Sequence, residues 1–223
     1  MLVPMEPANH GVADRRTALL DATVLEIARR GTRGLRVERV AEAAGVSVSL
    51  LYHYFDDRAT LLRLALEHVG ERARTYTAPA AGANGRAALA QRLLEEIQET
   101  EVVRVNSAAW GELRGSAVFE PHLRSTLASL AETWVAEIAE LLRAGRRDGS
   151  IPAEIDPDEA AVALTALVEG LSGRWLAGLL SADEARAHLV AGIDLILPGN
   201  AKMSPDAARH EPTSCTDDRV RRR

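Results

Sequence analysis

The chain has 223 residues, 47% hydrophobic, 26% charged and only 4% aromatic, enough apolar material for one generous domain or two small ones. A formal net charge of −5 argues against a protein that coats nucleic acid with its whole surface, but it leaves room for a basic patch, since phosphate contacts need only a few cations on one face. The single cysteine, Cys215, excludes a disulfide framework and a cysteine metal cluster; neither metal nor cofactor is expected, and no apolar run nears the roughly 20 residues of a membrane span.

Abundant Ala, Leu, Glu and Arg with few aromatics favour helix over strand, so an all-α fold of about nine helices is expected. Met1 to Pro7 has neither the basic region nor the apolar stretch of a signal peptide, which points to a soluble cytoplasmic protein. Residues 1–13 read as a disordered lead-in and 198–223, closing on Arg-Arg-Arg, as a disordered tail.

Between them, Leu19, Leu20, Thr23, Val24 and Ile27 recur at helical spacing from Asp14 to Arg30, before Gly31 and Gly34. A short helix is predicted over Val37–Ala44, ending at Gly45. Another runs to Tyr54 with Ser47 as its N-cap. Asp56 and Asp57 can cap a fourth, carrying Leu61, Leu62, Ala65, Leu66 and Val69. Longer helices come next: Arg86 to about Thr100, Val102 to about Arg114, Pro121 to Gly145, Pro157 to about Leu180, and a last one capped by Ser181 and stopped by Pro198.

Two short helices joined by a tight glycine turn, packed on a preceding helix, describe a helix-turn-helix. In Ala44-Gly45-Val46-Ser47, glycine can take the positive φ of a sharp reversal, Val46 can plug the crevice and Ser47 can cap the second of the two helices. That second helix divides into an inward face, Val48 and Leu51, and an outward face, Ser49, Leu50, Tyr52 and His53. Such an outward face suits a nucleobase groove better than an ordinary surface.

The stretch from Arg15 to about Leu66 resembles the N-terminal domain of the TetR (tetracycline-repressor) family. It carries Gly31, Val40-Ala41, Ala44-Gly45-Val46-Ser47, Tyr52-His53-Tyr54-Phe55 and Arg58-Ala59-Thr60-Leu61 in the family's register. The resemblance implies that Ser47, Ser49, Leu50 and His53 face the major groove, and that Arg36, Tyr52, Tyr54 and Arg58 hold phosphates. It departs at the second helix, where Leu35-Arg36 replaces the usual Thr or Ser cap, and at Ser49-Leu50, where relatives often have Gly and Thr. Residues 14–70 are thus expected to form the DNA-binding domain and 71–197 a ligand-binding and dimerisation domain.

Residues 86–197 show no enzyme motif, so no enzyme is expected. In an aromatic-poor chain, Trp110, Phe119, Trp134 and Trp175, with His122, stand out as candidate ligand contacts, the alternative being core packing. The segments Ala108-Ala109-Trp110, Asp148-Gly149 and Leu167-Val168-Glu169-Gly170-Leu171 resemble the BetI-like branch of the family. The family implies a homodimer paired through its last two helices, here with Ala160, Ala161, Leu164, Leu167, Val168, Leu171, Leu189, Ile193 and Ile196 as apolar surface. The function implied is a sequence-specific transcriptional regulator, a repressor released from double-stranded DNA at a palindromic operator by an unknown small-molecule effector. The rivals are a ligand-independent DNA-binding protein and a helical small-molecule-binding protein or enzyme.

Overall fold

The computed structural model describes residues 10–77 and 84–198 and contains nine α-helices, with no strand among the described residues: α1 (His10–Gly34), α2 (Val37–Ala43), α3 (Val48–Phe55), α4 (Arg58–Tyr76), α5 (Gly85–Leu94), α6 (Glu101–Ser116), α7 (Pro121–Arg147), α8 (Pro157–Leu176) and α9 (Ala182–Ile196). No described helix is long and apolar enough to cross a membrane. Residues 199–223 of the tail expected at 198–223 and the first nine residues of the expected lead-in lie outside the described residues. From His10 the chain is already helical, because extending an established helix costs little per residue.

The helix starts follow their caps. Ser47 accepts from the Leu50 amide at 3.1 Å, Asp57 from the Thr60 amide at 2.7 Å, and Asp156 from the Asp158 and Glu159 amides ahead of Pro157. Ser181 and Glu184 form a reciprocal capping box. Arg36 precedes α2 with no side-chain cap bond. Two boundaries differ from the periodicity. Helix α5 ends at Leu94 rather than near Thr100, and Thr100 caps α6 through the Val103 amide. Gly115 does not end α6, which runs to Ser116; an exposed glycine is tolerated in a helix whose other residues are held by packing.

Two cores hold the molecule. The first joins Leu19, Val24, Ile27, Val40, Leu51, Phe55, Leu61, Leu62 and Leu66 of α1–α4 to Ala109 and Leu113 of α6. The second packs Leu89 and Leu93 of α5 against Ile138 and Leu142 of α7, Leu164, Val168 and Leu171 of α8, and Leu189 and Ile193 of α9. The division expected at residue 70 falls inside α4, which is continuous to Tyr76. Most of the apolar residues assigned to a dimer face on α8 and α9 are instead buried within the chain. Ala160, Ala161, Leu164, Val168, Leu171, Leu189 and Ile193 face the second core, leaving Leu167 and Ile196 half-buried at its edge. The large apolar side chains that these two helices expose are Val162, Val190 and Leu195.

Candidate nucleic-acid interface and effector cavity

Helix α3 is only eight residues long and owes its stability to its cap and its buried face. Leu51 and Phe55, one turn apart, are essentially fully buried, and Val46, Val48 and Tyr54 pack at the margin of the same core. Gly45, at φ +67°, makes the reversal that brings α3 across α2. What remains outward is the set expected from the sequence: Ser47, Ser49, Tyr52 and His53 are exposed and Leu50 half-exposed. Arg36 is exposed at the entry to α2. Tyr54 stands edge-on to His53 with ring centroids 5.9 Å apart, its other side against the core. A row of hydroxyl, imidazole and phenol groups turned outward on a rigid helix is the surface that base-edge and phosphate contacts require.

Arg58 is placed differently from the other candidates. Its Nη2 donates to the Thr32 carbonyl at 2.6 Å and its Nη1 lies 3.9 Å from Glu120, so it ties the start of α4 to the end of α1 and to the start of α7. Asp57 beside it is held below the usual carboxylate range, chiefly by the Thr60 amide that it caps.

Behind this head, α4, α5, α6, α7 and α8, with the turn after α5, line a partly open cavity of about 100 Å³. Trp110 and Trp134 line it, as expected. Phe119, His122 and Trp175 do not. Phe119 is 74% exposed in the turn between α6 and α7, and His122, exposed on the first turn of α7, has its Nε2 3.5 Å from Glu120. Trp175 is buried in the second core, donating to Glu99 at 3.1 Å under the Arg104 guanidinium, 5.2 Å from its ring centroid.

The cavity also has a polar lining that aromatic content alone does not reveal. Tyr76, Asn106, Glu96, Glu137 and Glu169 reach it, with Arg74, Arg92 and Arg114. Arg92 pairs with Glu96 at 2.8 Å and Glu137 at 3.4 Å, Arg74 with Glu137 at 3.1 Å, and Arg114 with Glu169 at 3.5 Å. Trp110 donates to Glu169 at 3.0 Å. Burial pushes the Glu96 carboxyl above its usual range, with Arg92 pulling the other way, and burial also raises the Tyr76 phenol. Asn106 carries a signal in the sequence that the aromatic count passes over: it sits between Val103 and Trp110 at core spacing, a polar residue in an apolar stripe. Its Nδ2 donates to the Val69 carbonyl and to Tyr76, both at 3.1 Å.

Compared with known proteins, residues 19–65 match the model of the bacterial regulatory proteins of the tetR family, and residues 85–198 match that of the C-terminal domain of BetI-type transcriptional repressors. The chain is similar to the HTH-type transcriptional regulator BetI of Paraburkholderia phymatum, 32% identical over 200 residues, covering 84% of this chain and 95% of that protein. Among solved structures it is similar to a Rhodococcus sp. protein assigned to the TetR-family regulators, with TM-score 0.78, 48% identity, and 83% and 99% of the two chains covered. It is also similar to a transcriptional regulator of Saccharomonospora viridis solved in complex with choline, with TM-score 0.69, 25% identity, and 82% and 96% covered. The chain belongs to the TetR family of transcriptional regulators and is of the BetI repressor type.

Proposed function

We propose that this protein is a cytoplasmic homodimeric repressor that reads a palindromic operator with two copies of α3 and is released by a small molecule held in the cavity behind α4. The observation that carries the reading is the division of α3. Ser47 caps it and Leu51 and Phe55 anchor it, so Ser49, Leu50, Tyr52 and His53 are offered outward on a fixed support.

In this reading Ser47, Ser49, Leu50 and His53 meet base edges in the major groove. Arg36, Tyr52 and Tyr54 hold phosphates and set register, and Arg58 adds positive charge beside them while it clamps Thr32. The apolar groups that α8 and α9 leave outside, Val162, Val190 and Leu195, support pairing of these helices across a twofold axis. Such a dimer sets its reading helices about 34–36 Å apart.

Helix α6 supports the coupling. Asn106, Trp110 and Arg114 line the cavity, while Ser116 at its end reaches Thr32 in the reading head. A ligand that favours one setting of α6 therefore acts on the base of the head. Linkage requires that it bind the released state more tightly, and about 1–3 kcal/mol of coupling makes a usable switch. A cavity at this position favours this over a ligand-independent architectural role. Selection of duplexes from a random pool tests the reading. Twofold-symmetric enriched sites are expected, and a pool with no enriched sequence would remove it.

A further inference from the structure

The residues lining the cavity divide by burial. Val69, Arg92, Asn106 and Val168 are buried at its back, whereas Arg74, Gly111, Arg114 and Gly173 are exposed and mark where it reaches solvent. Three of these four belong to α6 and α8. The fourth, Arg74, sits where α4 and α7 close on each other. A methyl added to Gly70 would lie 3.0 Å from Leu130, Arg74 holds Glu137 at 3.1 Å, and the buried Arg92 reaches the same side chain at 3.4 Å. The solvent-facing rim is thus concentrated on α6 and α8.

Two of the rim residues are glycines inside helices, where glycine weakens the helix. Neither has a positive φ, and close approach of a neighbour does not account for them, because a methyl at Gly111 or Gly173 would have nothing within 4 Å. Bare backbone on both sides keeps the opening free of side chains. Glu169 bridges it from α8. Its Oε1 accepts the Trp110 indole N–H at 3.0 Å and its Oε2 faces the Arg114 guanidinium at 3.5 Å, both partners standing one turn apart on α6. The Trp110 bond keeps Glu169 against the wall. Arg114, whose side chain is 45% exposed, is the outer and weaker partner, since an exposed ion pair is screened by salt and easily parted.

We infer that the effector enters the cavity between α6 and α8, over the bare backbone of Gly111 and Gly173, with the Arg114–Glu169 pair as the latch of that doorway. The inference rests on the reading of the cavity as the effector site. A side chain at either glycine narrows the passage, and parting the pair widens it. Ligand exchange is then set by how often the latch opens, a local event that costs far less than unfolding.

Acrylamide, a small neutral quencher of tryptophan fluorescence, reports the passage without any effector. Trp110 and Trp134 line the cavity and the third tryptophan, Trp175, is buried in the second core, so the quenching constant of the full-length protein follows access to the cavity. Gly111→Phe and Gly173→Phe are each expected to lower it about twofold, and Arg114→Gln to raise it by about half. Added sodium chloride is expected to raise it in the parent and to leave Arg114→Gln unchanged. Gly115→Phe is the control and is expected to match the parent, since Gly115 is also exposed on α6 with open space around it but does not line the cavity. Arg114→Gln, a change at an exposed side chain, keeps the test decisive should a phenylalanine variant fail to fold. Unchanged quenching in Gly111→Phe or Gly173→Phe, no rise in Arg114→Gln, or an equal fall in Gly115→Phe overturns the inference. DNA selection by the same protein is read separately: enriched sites alongside an overturning result sink the doorway and leave the regulator reading intact, whereas the expected quenching pattern with no enriched site does the reverse.

Discussion

The Thr32 and Ser116 hydroxyls meet at 2.5 Å, joining the last turn of α1 to the last turn of α6 across 84 residues of sequence. Thr32 is also the residue whose carbonyl receives Arg58. One buried threonine thus holds together the end of the first helix, the start of the fourth and the helix that lines the cavity. Thr32→Val keeps the shape and removes the hydroxyl. It is expected to cost about 1 kcal/mol in urea denaturation, the worth of a single hydrogen bond. It is also expected to reduce, by at least threefold, the factor by which a bound effector weakens operator affinity, measured by fluorescence anisotropy. An unchanged factor would remove this contact from the coupling.

Gly31 and Gly45 set the chain's two sharpest features near the reading head, at φ +70° and +67°. Gly45→Ala meets open space and is expected to cost about 1 kcal/mol for backbone conformation alone. Gly31→Ala is expected to cost more on backbone grounds, since φ +70° with ψ 168° is a conformation essentially only glycine adopts, whereas the Glu112 carboxylate 2.7 Å from the new methyl ends a flexible side chain that can move aside. Thermal denaturation is expected to rank Gly31→Ala as the more damaging.

Base reading and phosphate holding respond differently to salt and sequence. Arg36→Ala is expected to weaken all DNA sequences alike and to lower the slope of log affinity against log salt by about 1. His53→Ala is expected to leave that slope nearly unchanged and to relax preference at one position of each half-site by about 1–3 kcal/mol. Binding isotherms at several salt concentrations separate the two.

Four carboxylates that fix turns and helix starts, Asp57, Asp148, Asp156 and Glu184, are held below their usual range chiefly by hydrogen bonds from backbone amides and hydroxyls. Their folded-state protons bind more weakly than those of the unfolded chain. The stability they contribute is therefore complete above the unfolded carboxylate range, near pH 4, and is lost as pH falls through their lowered folded values. Asp156→Asn, which keeps an oxygen to cap α8, is expected to flatten that part of the acid denaturation curve and leave the neutral region little changed.

The reading head is legible in the sequence because its determinants are local. Gly45, the Ser47 cap, the 3–4 spacing of Leu51 and Phe55 and the Asp57 cap all act within a few residues, and the structure places each where the spacing does. The cavity is legible only in Trp110 and Trp134. Phe119 and Trp175 look alike in sequence, yet one lies on an exposed turn and the other in the second core. What separates them from the lining is which helices cross, a tertiary property that composition does not carry. The apolar run on α8 reads as an outward face for the same reason: Leu164, Val168 and Leu171 fill a core supplied by α5, α7 and α9, and periodicity identifies a buried face without saying what buries it.

The proposed regulation depends on the outward face of α3 reading bases as a symmetric pair. Random-pool selection with the parent protein and with Ser49→Ala and His53→Ala, with sequencing of the bound fraction, addresses it directly. The parent is expected to enrich two inverted half-sites about one helical turn apart, and each substitution to relax the same position in both halves. Enriched sites without a dyad, or identical base preferences in all three proteins, would contradict it.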